Sequence, residues 1–197
     1  MAKILILYHS RLGSVEQLTH LIARGVNAID GIEAIIRTVP NISANTQSSE
    51  QVVPEAGAPY ATLDDLKSCD GLILGSPTRF GNMSAELKHF IDSTSSVWMS
   101  GDLQGKPAAV FSSSSSMHGG QESTLLSMML PLFHHGMLLV GLPYSEPALS
   151  QTITGGTPYG ATHVAGSNNQ NIISDDEKTL SIALGKRVAT IAKKLSD

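Results

Sequence analysis

Hydroxyl and cationic side chains follow the first apolar run of the sequence. Residues 9–14 read His-Ser-Arg-Leu-Gly-Ser, and a helical pattern begins directly after them. The hydroxyls of Ser10 and Ser14, a flexible glycine between them and the free amides of a helix start can together bind a phosphate. The positive charge of Arg11 suits a dianion, although an ordinary strand–helix turn capped by Ser14 is the alternative. The segment lacks G-x-G-x-x-G and G-x-x-x-x-G-K-[ST], which disfavours a dinucleotide crossing this turn and a nucleotide triphosphatase.

A stiff loop with one aromatic residue follows the third apolar run. Within residues 75–83, Pro77 restricts the backbone, and Thr78 and Arg79 supply hydrogen-bond donors. Phe80 offers an aromatic face. Such a loop can bind the polar edge of a planar heterocycle while stacking near its ring. The alternative is that Phe80 fills the core and Arg79 forms a surface ion pair.

Serines and glycines dominate the segment after the fourth apolar run. Residues 112–116 are all serine, and Met117, His118 and two glycines follow. Small residues let the backbone approach a flat ring closely. A nucleophilic serine assisted by His118 is the competing interpretation. No G-x-S-x-G elbow and no evident orienting partner accompany it, which disfavours a hydrolase.

Four further residues could carry chemistry, and each has a structural alternative. Trp98, the only tryptophan, is either a core residue or a lid over a planar substrate. His134 and His135 are adjacent, so on a helix they point about 100° apart. Without a third ligand at suitable spacing they do not predict a metal site. Cys69 precedes an apolar run and is expected to be a small buried hydrophobic residue.

Five short apolar runs must position these loops. Segments of helical spacing separate the runs, and parallel strands need such crossover connections. The pattern therefore predicts a doubly wound α/β fold with a five-stranded parallel sheet and helices on both faces, in which ligands bind at the carboxyl ends of the strands. The predicted strands are residues 3–8, 33–39, 71–75, 108–112 and 137–142. The predicted helices run from Val15 to Ile29, from a cap at Ser84, from about Ser123 to His135 and from about Ser174 to Leu195, with a short one opened by a capping box at Thr62–Asp65.

Length and composition set the outer bounds. The 197 residues predict a single domain, residues 1–197, with loop excursions at 40–60 and 143–172. A net charge of −4 argues against dense phosphate contacts with nucleic acid. No apolar stretch approaches the ~20 residues that span a bilayer. One cysteine excludes an intramolecular disulfide, and a cytoplasmic protein is expected.

The three loops together resemble one known family. The chain is similar to the WrbA family of flavodoxin-like NAD(P)H:quinone oxidoreductases, and the match covers essentially its whole length. The strings that carry the resemblance are Pro-Thr-Arg-Phe-Gly-Asn-Met at 77–83, His-Gly-Gly-Gln-Glu at 118–122, His-His-Gly-Met at 134–137 and Gly-Gly-Thr-Pro-Tyr-Gly-Ala-Thr at 155–162.

The resemblance implies a cofactor, substrates and an assembly. The cofactor is FMN, the electron donor is NADH or NADPH, and the acceptor is a quinone. A homotetramer completes each site with residues from a neighbour, and the excursion at 143–172 helps to build the subunit contacts. Trp98 and Leu12 are implied to line the substrate pocket, and no residue is assigned as a catalytic acid or base. The implied cofactor-binding residues are Ser10, Arg11, Leu12, Gly13, Ser14, Val15, Pro77, Thr78, Arg79, Phe80, Gly81, Ser113, Ser114, Ser115, Ser116, Met117, His118, Gly119 and His135.

The sequence departs from the family pattern at two places. Many relatives carry a tyrosine near the nicotinamide where this chain has Leu12, so the resemblance leaves nicotinamide docking open. The serine turn is one residue longer than in some relatives, and His118 there is expected to narrow the pocket or to contact the ring edge.

The implied reaction is a ping-pong transfer of two electrons, which would protect against oxidative stress. Two rival functions are a flavodoxin-type electron carrier and a non-catalytic flavoprotein scaffold. Electron carriers of this type are commonly strongly acidic, so the modest net charge and the long 143–172 segment favour the oxidoreductase.

Overall fold

A six-stranded parallel sheet organises the chain. The computed structural model describes residues 1–42 and 57–196. Every strand pair is parallel, and the order β2-β1-β3-β4-β5 reverses direction between β1 and β3. This order is the flavodoxin-like one, and it confirms the predicted doubly wound α/β class. The strands are β1 (Ala2–Tyr8), β2 (Ile32–Thr38), β3 (Gly71–Pro77), β4 (Pro107–Ser114), β5 (Leu138–Leu139) and β6 (Ala161–Val164).

Two short strands share the fifth position of the sheet, which corrects the prediction of five strands. The start of β4 pairs with β5, and its end, from Phe111 to Ser114, pairs with β6. The chain re-enters the sheet at Gly160, where a Cβ would lie 2.1 Å from the Val110 carbonyl oxygen. The predicted loop excursion at 143–172 therefore contains a helix and a strand that its own chain holds in place.

Helices cover both faces of the sheet. Within β1, Ile4 and Ile6 pack in the cluster with α1 and α7, whereas Leu5 and Leu7 pack in the cluster with α2 to α5. Burial on both faces explains why the strand is an uninterrupted apolar run. The helices are α1 (Ser14–Val26), α2 (Leu63–Ser68), α3 (Ala85–Asp92), α4 (Ser95–Ser100), α5 (Gln121–His134), α6 (Ala148–Gln151) and α7 (Asp175–Ser196).

Helix starts follow from local side-chain chemistry. Thr62 and Asp65 form the predicted capping box, and the Ser84 hydroxyl accepts from the Leu87 N–H at 3.4 Å. Ser14 is not the cap of the first helix, which was the alternative that the sequence left open, because Ser14 lies inside the helix. The residue before it, Gly13, is the N-cap and has a left-handed φ of 88°.

The predicted excursion at 40–60 falls largely on residues 43–56, outside the described residues, so it stays a prediction. In the described part of the chain, every helix is too short or too polar to cross a membrane.

Candidate functional site

A polar cavity of about 200 Å³ lies where the three predicted loops meet, at the carboxyl ends of β1, β3 and β4. This is the edge at which an open α/β sheet binds ligands, beside the switch in strand order between β1 and β3. The structure thus brings most of the residues that the sequence selected into one place. The lining residues are Ser10, Arg11, Leu12, Ser14, Val15, Pro77, Thr78, Arg79, Ser113, Ser114, Ser115, Ala165, Gly166, Ser167 and Asn169.

The β1–α1 loop, residues 9–13, presents free backbone donors to this cavity. The Ser10 hydroxyl oxygen accepts from the N–H groups of Gly13 at 3.1 Å and Glu16 at 3.4 Å, which folds the loop over the helix start. The N–H groups of Ser14 and Val15 have no acceptor among the residues that the structure describes. Unpaired donors at the positive end of a helix favour an anion.

The charge of the cavity is positive. Arg11 and Arg79 line it, and none of its lining residues in the described part of the chain is a carboxylate. The Arg79 guanidinium is partly positioned by its Nη1, which donates to the Thr78 carbonyl at 2.9 Å. Two guanidinium groups, serine hydroxyls and helix-start amides are a donor set that matches a phosphate dianion.

A chain of hydroxyl groups fixes the floor of the β3 loop. Thr124 donates to the Thr78 hydroxyl at 3.1 Å, and that hydroxyl lies 3.3 Å from the Ser112 hydroxyl. Ser112 in turn donates to the Ser76 carbonyl at 2.9 Å, and the Ser76 hydroxyl accepts from the Ser84 N–H at 2.8 Å. Because Ser76, Ser84, Ser112 and Thr124 are fully buried, this network ties β3 to β4, α3 and α5.

A strained turn carries the aromatic residue of the β3 loop. Arg79 and Asn82 pair through two backbone hydrogen bonds of 2.8 and 3.0 Å. The two residues between them, Phe80 at φ 52° and Gly81 at φ 75°, are both left-handed, as in a type I′ turn. Phe80 is fully exposed rather than a core residue. A bulky side chain held outward on a costly backbone indicates a functional contact.

The serine-rich turn is divided between the cavity and its rim. Ser113, Ser114 and Ser115 line the cavity, whereas the predicted contacts at 116–119 are exposed and lie outside its lining. The turn lies against the β3 loop, since a Cβ on Gly120 would be 3.2 Å from the Gly81 Cα. The predicted roles of Ser116, Met117, His118 and Gly119 therefore depend on a ligand that extends beyond the cavity.

Trp98 and His135 do not join this cavity within one chain. They line a separate, mostly apolar groove of about 530 Å³, together with Asn82 and His134. The His135 Nε2 lies 3.0 Å from the Thr94 hydroxyl, and its Nδ1 is buried without a hydrogen-bond partner in the described structure. Burial, and then the neighbouring His134, lower the pKa of His135. Both causes favour the neutral imidazole.

One wall of the cavity was missed by the sequence analysis. Ala165, Gly166, Ser167 and Asn169 belong to the loop that follows β6. The signal that identified the other loops, a strand followed by small and polar residues, is also present here. It went unrecognised because β6 has only four residues.

Two other features do not compete with this site. Across residues 1–42 and 57–196, no group of three His, Cys, Asp or Glu side chains could hold a metal ion. A larger groove of about 620 Å³ lies between α7 and residues 143–146, and its lining shares no residue with the three predicted loops.

Comparison with known sequences gives one family and a close relative. Residues 2–146 match the model of the family described as NADPH-dependent FMN reductase, and this match ends before α6 and β6. A protein of Syntrophobacter fumaroxidans named NAD(P)H dehydrogenase (quinone) is 43% identical, with 98% of each chain covered.

Solved structures share the fold. A WrbA-like flavodoxin from Agrobacterium tumefaciens has a TM-score of 0.70 at 23% identity and covers 98% of this chain and 99% of its own. Flavodoxin 1 from Bacillus cereus has a TM-score of 0.61 at 18% identity, with 96% and 98% covered.

Proposed function

This chain belongs to the NADPH-dependent FMN reductase family and is 43% identical to a protein named NAD(P)H dehydrogenase (quinone), and from that premise we propose that it is an FMN-dependent NAD(P)H:quinone oxidoreductase. The observation that carries the proposal is the cavity at the switch point. Among the described residues it combines two arginines, serine hydroxyls and unpaired helix-start amides, with no carboxylate in its lining.

The residues of the cavity fit the phosphate end of FMN. The donor set is complete for a dianion, and Gly13 leaves the space above the helix start open, since a Cβ there would meet no atom within 4 Å. We assign the phosphate to the Ser10 hydroxyl, the Arg11 guanidinium and the free N–H groups of Ser14 and Val15 at the α1 start. The cavity of about 200 Å³ is too small for a whole flavin, so the ring would extend past Thr78 and Ser114 towards the rim.

FMN, when bound, supplies the chemistry by accepting hydride from NAD(P)H and passing two electrons to a quinone. The residues of the chain bind FMN and orient its ring. The Arg79 guanidinium lines the cavity and can donate to the polar edge of the ring, Thr78 holds the loop in place through its hydroxyl, and the turn at 79–82 places Phe80 at the rim. No side chain is needed as an obligatory acid or base, because water can supply protons at an open site. We propose a ping-pong order, with the nicotinamide leaving before the quinone enters.

Within one chain Trp98 and His135 lie apart from the cavity, and we propose that a homotetramer brings them to it. Phe80, Trp98, Met99, Leu130 and Phe133 are large apolar side chains with at least half of their surface exposed. Large exposed apolar areas mark interaction surfaces. We propose that a neighbouring subunit brings its Trp98 and His135 against the rim of the cavity. The orphaned His135 Nδ1 would then find a partner there.

The decisive experiment is spectroscopic. Purified protein should take up FMN, NADH or NADPH should bleach the bound flavin anaerobically, and benzoquinone should restore its colour. Steady turnover of benzoquinone without an added protein partner distinguishes the enzyme from an electron carrier. Failure of both NADH and NADPH to bleach bound FMN would overturn the proposal. We also propose a cytoplasmic location, which the single cysteine, buried in the described structure, supports.

A further inference from the structure

The β6–α7 loop, residues 165–174, contacts the β1–α1 loop through one side chain. Asn169 donates from Nδ2 to the Leu12 carbonyl at 2.8 Å and accepts at Oδ1 from the Ser14 hydroxyl at 2.5 Å. Leu12 and Ser14 both line the cavity, as Asn169 does. One amide thus connects two walls of the cavity that are more than 150 residues apart in sequence.

The chemistry of the two partners fixes the orientation of this amide. A carbonyl can only accept, so the Asn169 NH₂ group must face Leu12. Its oxygen then faces Ser14, whose hydroxyl has to donate to it. The Ser14 oxygen is thereby held at one position on the cavity wall.

The β6–α7 loop is anchored independently of α1, so it can act as a fixed support. The Ala165 N–H donates to the Ser114 carbonyl at 2.8 Å, and the Asn171 N–H donates to the Ala165 carbonyl at 3.0 Å. Asn169 itself has a left-handed φ of 54°, which asparagine and glycine tolerate better than other residues. Asparagine suits this position because it tolerates a left-handed backbone and its side chain supplies both a donor and an acceptor.

We propose that Asn169 is a positioning residue, which sets Leu12 and Ser14 in the geometry that receives the phosphate of FMN. This inference rests on the proposed function, because it concerns the same cofactor. By holding the β1–α1 loop before the ligand arrives, Asn169 lowers the ordering cost of binding. Its effect should be confined to the phosphate end, so it should act on FMN and not on riboflavin, which lacks the phosphate.

The test compares the affinities of the apoprotein for FMN and riboflavin by quenching of flavin fluorescence. Asn169→Gly removes the side chain and keeps the left-handed backbone accessible. Asn168→Gly is the matched control, because Asn168 is exposed, lies outside the cavity lining and has no side-chain hydrogen bond to the described residues. We expect Asn169→Gly to raise the Kd for FMN about five- to tenfold, the size of one or two net hydrogen bonds. The Kd for riboflavin should stay within about twofold, and the control should change neither.

Two further variants keep the test informative. Asn169→Asp cannot donate to Leu12 and places a negative charge beside the phosphate, so it should weaken FMN more than Asn169→Gly does. In a Ser14→Ala background the effect of Asn169→Gly should shrink, because the two residues share one hydrogen bond.

Equal losses for FMN and riboflavin, or no loss for either, would show that Asn169 has only a structural role or none. Either result overturns the inference while wild-type protein still binds FMN and turns over. If the wild-type protein itself refuses FMN, the proposed function fails instead.

Discussion

His163 on β6 and Glu177 in the first turn of α7 form a buried pair, with Nδ1 3.0 Å from Oε2 and side chains only 2% and 1% exposed. The carboxylate also accepts from the N–H groups of Gly155 at 2.9 Å, Val164 at 3.1 Å and Ser174 at 2.8 Å. Glu177 thus connects the loop at Gly155, the end of β6 and the start of α7. The β6–α7 loop that reaches the cavity begins and ends beside it.

This pair predicts a loss of stability in acid. Burial would raise the pKa of Glu177, but the hydrogen bonds from His163 and from the backbone outweigh it and lower the pKa from 4.5 to about 2. A depressed carboxyl pKa stabilises the fold above pH 4.5, and this stabilisation disappears as the pH falls towards 2. It amounts to about 3 kcal/mol.

Urea unfolding of the apoprotein between pH 3 and 7 measures the effect. Glu177→Gln should be less stable at pH 7 by about 3 kcal/mol and should show a flatter pH dependence than the wild type. Asp64→Asn removes a carboxylate that is 92% exposed, and it should keep the wild-type dependence. A parallel pH dependence of Glu177→Gln and wild type would contradict the assigned pKa.

Ser10 should matter more to FMN than Ser14. The Ser10 hydroxyl holds the β1–α1 loop through two N–H groups and keeps its own hydrogen free, whereas the Ser14 hydroxyl donates to Asn169. A hydrogen bond to a charged group contributes ~1.5–3 kcal/mol, so Ser10→Ala should raise the Kd for FMN about 10- to 100-fold. Ser14→Ala should raise the Kd for FMN less than Ser10→Ala does, and the double variant should raise it most. Unchanged affinity in the double variant, measured by fluorescence titration, would place the phosphate elsewhere.

The fold was predictable from the sequence because the long strands contain recognisable apolar runs. Residues 4–8 of β1 and 107–111 of β4 are apolar and buried, and segments of helical spacing lie between the predicted strands. The loops after β1, β3 and β4 were therefore placed correctly at one edge. At the fifth position, β5 falls within the predicted run 137–142, but β6 was missed, because four residues are too short to carry a periodic pattern.

The parts of the site that depend on contacts between distant segments could not be predicted from the sequence. Asn169 lies in an asparagine-rich stretch that resembles a surface loop, and only its pairing with Leu12 and Ser14 across the fold gives it a role. The separation of Trp98 and His135 from the cavity likewise depends on the tertiary structure. Spacing along the chain indicates which residues share a loop, but not which loops face each other.

Phe80 should show a trade between stability and function. Its left-handed backbone costs roughly 1–2 kcal/mol for a residue other than glycine or asparagine, and its exposed ring gains no packing within the chain. Phe80→Asn should therefore leave the free energy of unfolding of the monomeric apoprotein equal or up to about 1 kcal/mol higher. FMN affinity and quinone turnover should fall, because the ring at the rim is lost. A clear loss of stability in the monomer would show that the ring packs inside its own chain.

Trp98→Ala should alter quinone kinetics and leave FMN affinity within about twofold, because the groove that holds Trp98 shares no residue with the cavity. Leu195→Ala is the control, since Leu195 is likewise an exposed apolar residue, 55% exposed, and lies outside both the groove and the cavity. Loss of flavin on replacing Trp98 would make it a structural residue.

Mixed assemblies decide whether the tryptophan acts on its own cavity or on a neighbour's. A chain with Ser10→Ala and Arg11→Ala cannot hold FMN tightly, yet it keeps Trp98, whereas the Trp98→Ala chain keeps an intact cavity. If each site is built from two chains, co-expression should restore turnover above the sum of the two variants expressed separately, because some sites combine an intact cavity with an intact tryptophan. If turnover in the mixture equals that sum, Trp98 serves the cavity of its own chain, and the shared site proposed for the tetramer is wrong.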